Sequence, residues 1–492
     1  MDPFTLGVAS GDPLSTSVIL WTRLAIDPSA GGGMGEDPID VAWEVGADDT
    51  FDTVVAGGVA TAVPGLGHSL HIDADGLAPD TRYAYRFRLG DFVSPVGQTR
   101  TFPEPGAPSD RLRIGVSSCQ NYEQGFYGAH RHLAAEDLDA MVWLGDYIYE
   151  YGPTEFPLEV GQLVRVHDAP EVADVVDYRN RYALYRSDPD LQTNHAAHPW
   201  IVTWDDHEVD NDYADSVSEN DDPSNAFLDR RAAGYQAWYE HMPVRLEPPA
   251  GPDFVIYRDL VWGDLAQIFV LDGRQYRSDQ PTDGEQIPFP GIGGDLPIYT
   301  MGPTTMDPDQ RMLGVDQEQW FIDGMIASNT AWRIVAQQVY MHGLNLPLGD
   351  EPVVIVDSWD GYHRNRADIL DALADGGVED IVVLTGDFHA ASVGDLKPDP
   401  YDPASPVVAT EFMASSISSR FPDVPQTLVD VVTAMNPQLQ TVSIDKGFTV
   451  LEFTPDAVTA TLRTVDPLDP DTGVTTHSVW RVDRGTPGAG PA

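Results

Sequence analysis

The chain has 492 residues, which at roughly 100–200 residues per domain implies two domains, or one large and one small. Hydrophobic residues make up 42% and charged residues 22%, a globular balance that excludes wholesale disorder; only the Gly- and Pro-rich residues 484–492 read as a flexible tail. Asp and Glu number 78 against 28 Lys and Arg, a net charge of −50 that repels nucleic acids and anionic membranes and excludes a nucleic-acid partner. Most of these carboxylates read as a solvating, halophilic shell whose self-repulsion salt would screen, and a few are set apart by position. The one cysteine, Cys119, excludes an intramolecular disulfide. No run of about 18 apolar residues exists to form a transmembrane helix. Met1 leads directly into a strand-like segment, so the sequence reads as a mature form without its leader or as a cytoplasmic protein.

Alternating apolar and polar residues predict strands over 17–24, 39–45, 69–73 and 83–89, separated by Gly, Pro and Asp clusters. Several strands within about 100 residues predict a β-sandwich over residues 1–103. The run from Gly76 to Tyr85 resembles the tyrosine corner of fibronectin type III domains, with Tyr83 as the corner residue. A Pro-rich linker follows at 104–110.

Beyond it, over 111–483, strands and helices interleave. Strands are predicted at 112–117, 140–144, 201–204, 266–271, 333–337 and 381–385, and helices at 126–136, 226–241, 317–327 and 366–374. That order predicts an α/β domain with partly parallel sheets, returning to strands from Val407 to Val482. Residues 279–315, rich in Pro, Gly and Asp, read as a functional loop such as a lid.

Ligands in α/β sheets bind beyond the carboxyl ends of strands. Four predicted strand ends here run into SCQN (118–121), GDYIYE (145–150), DDHE (205–208) followed by Asp210, Asn211 and Asp212, and GDFH (386–389). Singly, each such residue is as well explained by a helix cap or a packed core side chain. Together they predict one metal site. Thiolate, phenolate, carboxylate and imidazole suit iron, and the carboxylate and amide oxygens suit Ca²⁺, Mg²⁺ or Mn²⁺. A mixed pair of ions with Asp146 between them would clamp the attacking and leaving oxygens of phosphoryl transfer, with in-line attack by a metal-bound hydroxide and a nearby His protonating the leaving group. No G-x-S-x-G, P-loop or H-E-x-x-H signature competes.

These stretches resemble the PhoD-like alkaline phosphatases, within the calcineurin-like metallophosphoesterases. The resemblance runs through FTLGVASGD (4–12), SCQN (118–121), GDYIYE (145–150), WDDHEV (204–209), DGRQYR (272–277), DSWDGY (357–362), GDFH (386–389) and TEF (410–412), in order along nearly the whole chain. It implies an αββα catalytic sandwich behind a fibronectin-III-like domain, and a phosphomonoesterase with phosphodiesterase activity on a phosphate ester substrate. It further implies Fe³⁺ held by Cys119, Asp146, Tyr149 and His389, and Ca²⁺ held by Asp146, Asp206 and Asp387, with His207 and Asp146 at the catalytic centre. Asp205, Asn211 and Asp212 are candidate ligands of a second Ca²⁺, although the family pattern has two Asn where this chain has Asn211 and Asp212. Arg274, Arg277, Trp359 and Tyr362 are candidate substrate contacts, or equally a buried Arg–Asp pair and aromatic core packing. Relatives of this kind are typically exported after folding, which implies a secreted or periplasmic location. Two alternatives share much of this reading: a dedicated diesterase acting on phospholipids or teichoic-acid-like polymers, and a non-catalytic calcium-binding surface protein.

Overall fold

The computed structural model describes residues 1–156, 161–220, 222–288, 297–348, 353–422 and 424–492. The N-terminal region forms β1 (Val8–Gly11), β2 (Val18–Arg23), β3 (Ile39–Gly46), β4 (Val54–Ala62), β5 (Ser69–Ala74), β6 (Arg82–Leu89), β7 (Phe92–Val93) and β8 (Gly97–Arg100). Val18, Leu20, Leu70 and Ile72 from one sheet meet Val41, Val45, Tyr83, Tyr85 and Phe87 from the other, which is the interior of a sandwich. The Tyr83 hydroxyl accepts the Ala78 N–H at 2.9 Å, the back-bond of a tyrosine corner.

The second region begins with β9 (Leu112–Ser117), α1 (Gly128–Ala134), β10 (Ala140–Trp143), α2 (Val175–Arg186), α3 (Pro189–Ala197), β11 (Pro199–Val202) and α4 (Ser224–His241). It continues through β12 (Arg258–Trp262), β13 (Ala266–Val270), β14 (Ile298–Thr300), α5 (Gly314–Ala327), β15 (Trp332–Ala336), β16 (Val353–Ile355), α6 (His363–Asp375) and β17 (Ile381–Thr385). It ends with β18 (Ala391–Leu396), β19 (Ala409–Met413), α7 (Gln426–Met435), β20 (Leu439–Ser443), β21 (Lys446–Phe453), β22 (Ala457–Val465), β23 (Thr475–Asp483) and β24 (Gly490–Pro491).

Two sheets form the core, in strand orders β24-β23-β22-β21-β9-β10-β11-β1-β2-β5 and β12-β13-β15-β17-β19-β18-β20. Their strands alternate faces with a period of two. Ile114, Val116, Val142 and Ile201 of one sheet pack against Ile268, Ile334, Val382 and Leu384 of the other. The opposite faces turn outward, Met141, Trp143, Trp200 and Val202 toward α2 and α4, and Phe269, Val335 and Val383 toward α5 and α6. The result is an αββα sandwich. β9, β10 and β11 run parallel, as do β13, β15, β17 and β19, so their carboxyl ends gather on one rim.

Several expectations need correction. The N-terminal sandwich does not stand apart, because β1 pairs in parallel with β11, Ser10 opposite Pro199 and Gly11 opposite Trp200, and carries β2 and β5 into the core sheet. The linker at 104–110 is pinned to the turn before β13 by Gly106 N–H to Gly263 O at 3.0 Å and Asp264 N–H to Ala107 O at 2.8 Å. Residues 484–492 are not a loose tail: β24 closes the sheet edge on β23, and Gly488 N–H donates to Thr410 Oγ1 at 3.0 Å. The last third contains the helix α7, and α2 and α3 occupy a stretch with no predicted helix. Within 279–315, β14 pairs with β16, and residues 289–296 lie outside the described set.

Candidate metal centre

The predicted donors converge on that rim. Cys119 Sγ, an Asp146 oxygen and a His389 nitrogen lie within 4.8 Å of one another, and so do donor atoms of Asp146, Asp206 and His207. A third group is Asp205, Asp206 and Asp387, and a fourth is Asp206, Asp212 and Asp357. Tyr149 sits at the first group, its hydroxyl 2.9 Å from Asp146 Oδ2 and 3.0 Å from His389 Nε2. Ser419 Oγ donates to the same hydroxyl at 2.7 Å.

Local backbone rules explain how strand ends present these groups. Cys119, Asp146, Asp212, Asp387 and His389 all have φ between 53° and 66°, a left-handed conformation that costs a non-glycine residue about 1–3 kcal/mol. The surrounding loops hold them there: Cys119 N–H bonds to Gly145 O and Gln120 N–H to Asp146 O, each at 3.1 Å. Gly145 has φ 105°, and a side chain there would collide with Asp205, so a glycine lets the two acidic loops approach.

Glu208 ties those loops together. Its carboxylate accepts Asp146 N–H at 3.2 Å, Tyr147 N–H at 2.5 Å and Asp205 N–H at 2.8 Å. Glu150 plays a second such part, accepting His207 Nδ1–H at 2.7 Å and Asn211 N–H at 2.7 Å. Neither glutamate was among the predicted site residues, although both stand inside the quoted motifs. Nothing local marks a carboxylate that will accept backbone N–H groups from another loop.

The electrostatics describe a site built for cations. Burial pushes the Asp146 carboxyl well above its usual range, and neighbouring Asp206 and Asp205 push it the same way against His207. Burial and Asp205 raise Asp387, burial and Asp357 raise Asp212, and burial lifts Asp205 to about 7 despite Arg274. Burial and the Asp146 charge raise the Cys119 thiol and the Tyr149 phenol well above their ordinary values. Asp206 moves the other way: burial would raise it, but Arg274 and His207 outweigh burial. Burial, then Lys446, pushes His389 down to about 3, keeping it a neutral donor. A multivalent cation inverts this balance, because it favours every anionic form at once. Asp146 Oδ1 and Asp205 Oδ2 are buried with no hydrogen-bond partner. An orphaned carboxylate oxygen of this kind, among Cys, Tyr, His and Asp donors, fits a metal ion.

The four candidate substrate contacts are buried and engaged within the protein. Trp359 is 1% exposed and packs in the core beside α6, its Nε1–H on Gln337 at 3.1 Å, and Tyr362 is 0% exposed with its hydroxyl on Ser278 O at 2.6 Å. Arg274 spends its donors on Asp205, on Asp357 at 2.7 Å and on Asp387 at 3.3 Å. Arg277 spends its own on Asp357 at 2.6 Å and on the carbonyls of Asp212, Tyr213 and Asp357. The arginines therefore position carboxylates instead of meeting solvent. Asn211 donates through its amide nitrogen to Glu219 at 3.0 Å, not through the oxygen a cation would take, and Asp212 stands with Asp206 and Asp357. That last group already has counter-charge from Arg274 and Arg277.

An αββα sandwich whose parallel strand ends assemble clustered Asp, His, Cys and Tyr donors defines a metal-dependent phosphoesterase. A family model described as PhoD-like phosphatase matches residues 114–462, and one described as PhoD-like phosphatase, N-terminal domain, matches residues 1–103. The chain is similar to alkaline phosphatase D of Bacillus subtilis (strain 168), 43% identical over 456 residues that span 92% of this chain and 76% of that protein. It is also similar to a solved structure described as "Structure of PhoD", with TM-score 0.94 and 41% identity over 100% of this chain and 92% of the other. The chain belongs to the PhoD-like phosphatase family, and it is a metal-dependent phosphoric ester hydrolase. Among the described residues no helix is long and apolar enough to cross a membrane.

Proposed function

We propose that this enzyme hydrolyses phosphate monoesters and diesters at a mixed centre, in which Cys119, Asp146, Tyr149 and His389 hold ferric iron and Asp146, Asp206 and Asp387 hold calcium. The observation that carries the reading is the shared position of Asp146. It belongs both to the group with Cys119 and His389 and to the group with Asp206 and His207, and its Oδ1 is buried without a partner. A thiol, a phenol and an imidazole favour iron on one side, and carboxylates favour a hard cation on the other.

Bound ions of this kind supply charge neutralisation on the phosphoryl oxygens and acidify a coordinated water. The chain's own residues do the rest. Glu150 accepts the Nδ1–H of His207, which fixes the ring and leaves Nε2 toward the donor cluster. Burial opposes the charged imidazolium, but Glu150, Asp206 and Asp146 outweigh burial and raise His207 well above its ordinary value. With ions on Asp146 and Asp206, Glu150 remains as the charged partner that favours the imidazolium, which places His207 to donate a proton to the leaving-group oxygen. The rings of Tyr149, at 4.1 Å, and Tyr151, at 5.6 Å, shield it from water. Asp387, with a side chain 24% exposed, marks the side on which substrate enters.

The test is release of p-nitrophenol from p-nitrophenyl phosphate and from bis-p-nitrophenyl phosphate at alkaline pH, with added Ca²⁺ and with a chelator, alongside metal analysis of the purified protein. Hydrolysis abolished by the chelator and by Asp146→Asn, with iron bound in the wild type, supports the reading. Full activity of Asp146→Asn would remove the bridging role. The ratio of the two rates distinguishes a general phosphatase from a dedicated diesterase.

A further inference from the structure

A second concavity lies beside the metal centre. It has a volume of about 80 Å³, and apolar side chains make up nearly all of its lining, among them Ile298, Phe388, Met413, Phe421, Leu428 and Val432. Its roof is α7, which turns Leu428, Val429 and Val432 inward and leaves Val431 and Met435 exposed. Its floor is the edge of the second sheet, β19, β18 and β20.

Two stretches of chain join this pocket to the site. In the first, Phe388 lines the pocket while its neighbours Asp387 and His389 belong to the donor groups. In the second, Phe421 lines the pocket two residues after Ser419, whose hydroxyl is bonded to Tyr149. The two phenylalanine rings meet with centroids 5.5 Å apart, and Phe388 is braced edge-on by Tyr340 at 5.2 Å. An apolar recess lined by residues of the same loops that carry the donor groups suits the apolar part of the ester better than a polar headgroup, for which it offers almost no partner.

We infer that this pocket binds the aliphatic chain of the alcohol esterified to phosphate, so that the enzyme favours alkyl phosphates over esters of small polar alcohols. The inference rests on the phosphoesterase reading of the neighbouring centre. Scaled against an apolar cavity of ~150 Å³ that takes benzene, the pocket accommodates roughly three carbon atoms. Burying a methylene changes an equilibrium about fourfold. The value of kcat/KM should therefore rise about fourfold per carbon over the first few members of an n-alkyl phosphate series and then level off.

The experiment measures phosphate release from methyl to hexyl phosphate by the metal-loaded enzyme, with p-nitrophenyl phosphate as the reference substrate. Val432→Trp, on the roof and outside the site, fills the pocket. The expected result is a rising series in the wild type, a flat series in Val432→Trp, and hydrolysis of p-nitrophenyl phosphate close to wild type in both. A flat wild-type series with intact p-nitrophenyl phosphate hydrolysis overturns the pocket while leaving the phosphatase reading standing. An unchanged rising series in Val432→Trp also overturns it, by placing the chain elsewhere. Inhibition of propyl phosphate hydrolysis by n-alcohols is a second measurement on unaltered protein: butanol should compete at far lower concentration than methanol while p-nitrophenyl phosphate hydrolysis stays unaffected, and equal potency would count against the pocket.

Discussion

Glu150 Oε2 lies 2.7 Å from His207 Nδ1, and both side chains are buried, so the imidazole has one charged partner behind it and the donor cluster in front. Glu150→Gln keeps the volume and removes the charge. The His207 pKa should then fall toward its ordinary value, and the alkaline limb of the kcat profile should move to lower pH with KM little changed. His207→Asn removes the proton donor altogether and should lower kcat by about 10²–10⁴. A pH–rate profile of Glu150→Gln superimposable on the wild type would show that Glu150 does not tune the histidine.

Glu208 satisfies three backbone N–H groups from two acidic loops. Glu208→Ala leaves those donors buried without partners, at about 1–3 kcal/mol each. Denaturant unfolding should show a loss of several kcal/mol, and the variant should release metal more readily under a chelator. A variant with wild-type stability and metal retention would assign the loop geometry to other contacts.

Metal removal should make stability depend on pH in a defined window. Burial raises Asp205 and Asp210 to about 7 and Glu208 to about 8. A carboxyl raised above its unfolded value contributes stability below that value and loses it as pH rises through the folded one. Buried His130 and His198 work in the opposite direction, pushed by burial down to about 3 and 4, but their effect fades above about pH 6.5 as the unfolded imidazoles become neutral too. Lys446, pushed by burial down to about 7, adds stability as pH rises past 7, but it is one group against several raised carboxyls, so the net loss falls mainly between pH 6.5 and 7.5. The chelated protein should therefore lose Tm across that interval, and the metal-loaded protein should hold it. Parallel Tm curves with and without chelator would contradict this.

The net charge of −50 should make thermal stability rise with added NaCl toward the molar range, because screening relieves the repulsion of like charges. Melting curves at increasing NaCl check this, and a Tm that is flat or falls would argue against a halophilic surface.

Trp359 and Tyr362 serve the core, so their variants should change stability and not substrate affinity. Tyr362→Phe loses the bond to Ser278 O and should cost about 1 kcal/mol in a urea melt. Its KM for p-nitrophenyl phosphate should match the wild type. A rise of tenfold in KM with unchanged stability would restore Tyr362 as a substrate contact.

Sequence alone was sufficient for much of the alternation of strands and helices from Leu112 onward, α2, α3 and α7 apart, and for the donors placed at strand ends, because both are local. Short apolar runs bounded by turn residues mark strands such as β10 and β17, and a Gly-Asp pair after a strand marks a turn at the rim. The tyrosine corner was equally legible, since Ala78 and Tyr83 lie five residues apart. Tertiary structure decided everything that depends on contacts distant along the chain. β1 joined the core sheet because its free edge met β11, nearly 190 residues away. Arg274 and Arg277, legible in advance either as substrate contacts or as members of a buried Arg–Asp pair, brace carboxylates because the fold brings Asp357, 80 or more residues distant, against both. Glu150 and Glu208 acquired their tasks only when separate loops converged on them. A charged side chain's partner is set by packing of segments that local sequence does not see, which is why the donors could be named in advance and the residues that hold them could not.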